Sequence, residues 1–132
     1  MKLSSKAHYG LNACYKLAQL YPDGKASARE LEETLSVSGK YLEQMMRLLS
    51  VRDIVKAQRG AAGGYSLVRS PEAITVGEVV RALEDDMDFI HCATRESPCK
   101  KCASAAVWQR LYREINQVLD SMTLADMLKG DV

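Results

Sequence analysis

Two short β-favouring runs interrupt a chain otherwise patterned for helices: Ile54-Val55-Lys56-Ala57-Gln58 and Tyr65-Ser66-Leu67-Val68, separated by Arg59-Gly60-Ala61-Ala62-Gly63-Gly64. A glycine-rich stretch between two such runs reads as a tight hairpin. Gly63 and Gly64 can take positive φ, and without side chains they let the backbone approach a surface closely. The fold class that follows is mainly α with one small β-hairpin.

The helices around the hairpin give it a meaning. Leu3, Ala7, Leu11, Cys14, Ala18 and Tyr21 recur at three- and four-residue steps until Pro22-Asp23-Gly24, which predicts a first amphipathic helix. Ser27-Ala28-Arg29-Glu30 is a capping box opening a helix through Leu35. After Ser36-Val37, the stretch from Ser38 to Arg52 repeats Tyr41, Leu42, Met45, Leu48 and Leu49 on one face and Lys40, Glu43, Gln44 and Arg47 on the other. Two helices joined by so tight a turn, the second with a polar face, form a helix-turn-helix whose second helix can lie in a major groove. A hairpin directly after it completes a winged helix-turn-helix. Arg59, at the mouth of the wing, is placed to enter a minor groove or to pair with phosphate.

Thr75-Val76-Gly77-Glu78 is a second capping box, opening a helix through Glu84 that Asp85, Asp86 and Asp88 follow. From Ala103 to Met122 a longer helix carries Ala106, Val107, Leu111, Ile115, Val118, Leu119 and Met122, with Trp108 and Tyr112 beside the stripe. That stripe exceeds what one small core can bury, which predicts a partner helix and a homodimer. A two-fold dimer would present two recognition helices to a pseudo-palindromic site in double-stranded DNA. The expected organisation is a DNA-binding domain over 1–84, a cysteine-bearing sensor loop over 85–102, and a dimerisation helix with its tail over 103–132.

Charge agrees with a polyanion partner. The net charge is only +1, but residues 1–69 hold 11 Lys/Arg against 6 Asp/Glu, whereas residues 70–132 hold 7 against 11. Lys and Arg that neutralise phosphates release counterions and supply sequence-independent affinity. No window approaches the roughly 18 unbroken apolar residues of a spanning helix, and the first residues lack the apolar core of a secretory signal, so the expectation is a cytoplasmic protein with no membrane partner. No Gly-rich phosphate loop, carboxylate pair beside a histidine or nucleophile-base pair is legible, which argues against an enzyme. A winged helix that binds protein instead of DNA is the alternative, separable by the salt dependence of retention on duplex DNA.

In a reducing compartment the four cysteines are read as metal ligands, redox sensors or core residues. Cys14, on the apolar face of the first helix, reads as core. Cys92, Cys99 and Cys102 fall within eleven residues, where a loop can turn its thiolates onto one metal. The residues alone leave open a metal cluster, a structural zinc with His91 as fourth ligand, and a thiol-disulfide switch through Cys99 and Cys102.

Met1-Lys2-Leu3-Ser4, Lys40-Tyr41-Leu42-Glu43-Gln44, Arg59-Gly60-Ala61-Ala62-Gly63-Gly64-Tyr65 and the stretch from Ile74 through Glu84 together resemble the Rrf-two (Rrf2) family of winged-helix transcription regulators, over almost the whole chain. The resemblance implies a dimeric DNA-binding regulator with a recognition helix, a wing and a long dimerisation helix. It places Ser38, Lys40, Tyr41, Glu43, Gln44 and Arg47 at the major groove and Arg59 in the wing, with Lys2, Ser4, Lys6 and Tyr9 as further contacts to the DNA backbone. In these roles Lys40 and Arg47 hold phosphate, Glu43 accepts from cytosine N4 and Gln44 pairs with adenine. The family's sensing branches hold an iron-sulfur cluster on three cysteines of this segment, so the resemblance implies a 2Fe-2S cluster on Cys92, Cys99 and Cys102 whose state changes DNA binding. One branch offers a histidine shortly after the third cysteine. Here Ala103-Ser104-Ala105-Ala106 stands instead; some members complete the cluster with a first-helix side chain from the partner subunit, and the resemblance implies His8 in that role.

Overall fold

The computed structural model describes residues 3–84 and 102–132. Lys2, His91, Cys92 and Cys99 lie outside the described residues. Among the described residues the order is α1 (Ser5–Leu20), α2 (Ala28–Leu35), α3 (Gly39–Val51), β1 (Val55–Gln58), β2 (Gly64–Leu67), a 3-10 turn (Pro71–Ala73), α4 (Val76–Leu83), α5 (Ala105–Ser121) and α6 (Leu124–Lys129).

α1 buries Ala7, Gly10, Ala13, Cys14, Leu17 and Ala18 along one face. Small residues there let neighbours come close: a Cβ on Gly10 would collide with the Leu83 side chain of α4. α2 opens on the predicted capping box, the Glu30 amide donating to Ser27 Oγ at 3.1 Å and the Ser27 amide to Glu30 Oε2 at 3.2 Å. It ends at Ser36, whose left-handed backbone (φ 56°) turns the chain sharply into α3. Ser38 caps α3 by accepting from the Tyr41 amide at 3.1 Å, and the helix buries Leu42, Met45, Met46 and Leu49. Each such cap is worth about 1 kcal/mol and fixes where its helix starts.

The hairpin is antiparallel, with Val55 opposite Leu67 and Gln58 opposite Gly64. A third segment, invisible in the sequence pattern, secures it. The Ala26 amide donates to the Tyr65 carbonyl at 3.0 Å, and the Tyr65 amide to the Ala26 carbonyl at 2.7 Å. The turn chemistry differs from expectation in one respect. In the loop, Gly60 takes φ 107° and Gly64 φ 159°, whereas Gly63 is not among the positive-φ residues. Gly63 is required because a Cβ there would strike the Gln58 carbonyl oxygen, and a Cβ on Gly64 would lie 2.6 Å from the Ala26 carbonyl oxygen.

The Thr75–Glu78 capping box starts α4 as predicted, with its two bonds at 3.1 and 2.9 Å. α5 is fastened to α4 by two devices. At its C-terminal end, Val76 donates to the Met122 carbonyl at 2.8 Å and Leu124 to the Ile74 carbonyl at 3.0 Å. Along its flank, the Arg81 guanidinium reaches Asp120 at 2.7 and 2.9 Å and Asn116 at 2.7 and 3.2 Å. Gly77 makes this approach possible, since a Cβ there would meet Asp120 and Arg81. The stretch expected as a tail carries α6, which starts on a third capping box, Thr123 with Asp126, and buries Leu124 and Ala125. Val107 (60% exposed), Leu111 (42%) and Val118 (56%) of α5 face solvent, whereas Ala105 is buried.

Leu124 is fully buried and Leu128, on the same helix, is 38% exposed. Leu124→Ala is therefore expected to lower the unfolding free energy by about 2–5 kcal/mol, and Leu128→Ala to stay within about 0.5 kcal/mol of wild type. Urea titrations of the two variants measure the difference, and equal values would show that α6 is not part of the core.

Candidate nucleic-acid interface

Helical periodicity puts Lys40, Glu43, Gln44 and Arg47 along the outer face of α3, all exposed, with Ser38 exposed at its cap. Their apolar counterparts Leu42, Met45, Met46 and Leu49 are buried beneath them, so the face is held rigidly while its side chains remain in water. The wing stands beside it. Glu43, Arg47, Arg59, Gly63 and Gly64 line one open cleft of about 640 Å³ together with Ser27, Arg29 and Gln58.

Two side chains tune the walls of this cleft. Lys25 Nζ donates to Gln58 Oε1 at 2.8 Å, pinning the end of β1 next to Arg59. Tyr65 is half-buried, and desolvation, with a smaller contribution from the Glu43 carboxylate, pushes its hydroxyl above the ordinary tyrosine range. It stays a neutral donor and acceptor, adding no negative charge where phosphate would come.

The structure divides the candidates on α1 and Tyr41. Lys6 is half-buried on the first turn. The Tyr41 hydroxyl lies 3.2 Å from Ser5 Oγ, and its ring packs edge-on against Tyr9 with centroids 6.0 Å apart, so Tyr9 and Tyr41 form a seam between α1 and α3. Ser4 gives both its amide and its hydroxyl to Glu84 Oε1, each at 2.7 Å. That engagement ties the start of α1 to the end of α4. Arg29, Lys25 and Gln58 escaped the sequence reading. The signal was present for Arg29, a cation just inside the capping box of the helix that precedes α3, but capping accounted for that segment without it.

The thiols separate by environment. Cys14 is wholly buried in α1, and burial pushes its pKa up to about 12, so it is a core residue. Cys102 is half-buried one turn before α5, with Sγ 3.6 Å from Ser104 Oγ. Its carbonyl accepts from the Ala105 amide at 3.3 Å. His8 is exposed on α1, its ring against Tyr9 at 5.2 Å. Among the described residues no three His, Cys, Asp or Glu side chains converge as a metal site, and none of the described helices is long and apolar enough to cross a membrane.

A polar-faced helix following a tight turn, with an arginine-bearing hairpin beside it, defines a winged helix-turn-helix transcription regulator. The sequence pattern of the Rrf2 family, iron-dependent transcriptional regulators, matches residues 3–130, and the chain belongs to that family. It is 37% identical over 127 residues to the HTH-type transcriptional regulator CymR of Bacillus subtilis, spanning 96% of this chain and 89% of that protein. Its fold is similar to that of IscR from T. potens, with a TM-score of 0.80, 38% identity, and 100% of this chain and 89% of that one covered. It is equally similar to the structure of CymR, the global cysteine regulator of B. subtilis, with a TM-score of 0.82, 33% identity and 98% of both chains covered. The relatives are transcription regulators, and DNA binding follows for this chain.

Native protein treated with iodoacetamide at mildly alkaline pH should leave Cys14 unmodified, because the thiolate is the nucleophile and burial suppresses it. Unfolding in urea should expose it. Peptide mass spectrometry reads both, and alkylation of Cys14 in the native state would show that the core around α1 opens.

Proposed function

We propose that this chain regulates transcription as a homodimer, reading a pseudo-palindromic duplex with α3 and the wing, under the control of Cys92, Cys99 and Cys102. The observation that carries the DNA-binding face is the single cleft on which Arg29, Arg47 and Arg59 converge beside Glu43. Guanidinium groups at its rim hold phosphate, while Glu43 and Gln44 present the acceptor and the amide that distinguish base edges. The homodimer is supported by the exposed stripe Val107, Leu111 and Val118 on α5. A second copy of the same helix would cover it through an isologous contact.

The sensing role rests on chemistry and placement. Three thiols within eleven residues suit a soft metal or iron-sulfur cluster, and Cys102 lies one turn before α5. A bound 2Fe-2S cluster on Cys92, Cys99 and Cys102, with His8 as fourth ligand, would supply a centre sensitive to redox state, cluster supply and nitric oxide. This chain's own part is to carry a change at Cys102 along α5, whose Arg81 clamp leads to α4 and the DNA-binding body. The likeness to CymR, a global cysteine regulator, favours a second reading, in which the same thiols hold zinc or act as a thiol switch without iron.

Arg59→Ala is expected to weaken binding to a cognate duplex by at least about tenfold, or roughly 1.4 kcal/mol, in a gel-shift titration. Binding of the wild type should also fall steeply with salt. Unchanged affinity of the variant would remove Arg59 from the interface, and salt-independent retention would favour a protein partner instead. For the cysteines, anaerobically purified protein should show visible charge-transfer bands with matching iron and sulfide, lost in Cys92→Ala. Colourless protein that also resists reconstitution would retire the cluster, and a zinc assay would then divide the second reading.

A further inference from the structure

α1 begins without the devices that start α2, α3, α4 and α6. Ser4 stands at its N-cap, but the side chain caps nothing within the helix, and no acidic residue falls in the first turn. The anion comes from the far end of the domain. Glu84, the residue that closes α4, places Oε1 where it accepts from both the Ser4 amide and the Ser4 hydroxyl at 2.7 Å. A carboxylate in that position satisfies an N-terminal amide and meets the positive end of the helix dipole.

One residue further, the same turn is joined to α3. Ser5 Oγ lies 3.2 Å from the Tyr41 hydroxyl, and one turn later Tyr9 packs edge-on against the Tyr41 ring. Tyr41 is the third residue of α3, and its amide is the one that Ser38 caps. The first turns of α1 are thus stitched to the end of α4 on one side and to the start of α3 on the other.

We propose that Glu84 is a positioning residue for DNA recognition. By capping α1 from a distance it holds Ser5 and Tyr9 against Tyr41, and so sets the placement of the first turn of α3, where Ser38 and Lys40 stand. The inference rests on the reading of α3 as the recognition helix. It requires no contact between Glu84 and DNA, since a carboxylate beside phosphate would repel it, and acts only through hydrogen bonds and ring packing.

The test compares Glu84→Ala, which removes the acceptor, with Glu84→Gln, which keeps one. Three quantities are measured on the full chain: affinity for a duplex selected by the wild type from a random-sequence library, thermal midpoint, and amide exchange over residues 4–9. Glu84→Ala should bind roughly tenfold more weakly, exchange faster over residues 4–9 and change little in midpoint, while Glu84→Gln should restore affinity and protection together. Combined with Tyr41→Phe, the loss should be less than additive, because both act through one seam. Should Glu84→Ala fail to fold, Ser4→Ala removes only one of the two donors and should show the same loss in smaller measure. Wild-type affinity in the variant overturns the proposal. So does tighter binding, which would make Glu84 a competitor of phosphate. A wild-type chain that selects no duplex overturns the reading of α3 itself, and the exchange data still report whether Glu84 caps α1.

Discussion

The reciprocal pair of backbone bonds between Ala26 and Tyr65 is the constraint on which the cleft between α3 and the wing depends. A two-stranded hairpin is marginal alone in water, and β1 and β2 are four residues each. Ala26 lies immediately before the Ser27 cap of α2, so pairing it with Tyr65 fixes the wing relative to the helix-turn-helix by backbone geometry. Gly64 follows from this constraint, because any side chain there would meet the Ala26 carbonyl. Arg59 inherits its position from the same pairing. It is the residue after β1, and the register of Gln58 opposite Gly64 decides on which side of the cleft it emerges.

α5 stands apart from this compact body in how it is held. Its C-terminal end is sewn to the start of α4 by two backbone bonds, and Arg81 grips it at Asn116 and Asp120. Toward its N-terminal end Val107 and Leu111 are exposed. The ion pair is half-exposed, which limits its own contribution to the order of surface pairs, but its forked geometry fixes direction. The helix that carries Cys102 at its entrance is therefore fastened firmly at the end distant from the cysteine. Under the proposed function this is the arrangement a lever needs: a displacement at the cysteine-bearing end turns about a fixed attachment beside α4.

How much of this was legible in the sequence depended on the range of the interaction. The capping boxes Ser27–Glu30 and Thr75–Glu78 are local, and both helices start where those residues place them. The period of α3 is local as well, and its exposed face is the predicted one. Contacts between distant residues left no trace in pattern: Ala26 with Tyr65, Ser4 with Glu84, Arg81 with Asp120. Gly63 shows the limit sharply. Composition announced a turn but could not separate a glycine with a positive φ, such as Gly60, from one needed because backbone lies against it. The helix α6 was missed for another reason. Thr123 and Asp126 form a box with Asp in place of the usual Glu, and six residues are too few to show a period.

A carboxylate within the arginine-lined cleft is the feature that affinity alone does not explain. Glu43 is exposed beside Arg47 and Arg59, and against a phosphate backbone it subtracts from the attraction those arginines supply. Under the proposed function its part there is discrimination. At a base edge a carboxylate is an acceptor with no donor, which rewards the cytosine amino group and penalises the acceptors of guanine. Specificity of this kind is obtained by building cost against wrong partners as well as gain for the right one. Under the proposed function, in a chain of net charge +1, the repulsion would also keep non-specific attachment weak, with the basic half supplying steering and Glu43 and Gln44 the choice of sequence.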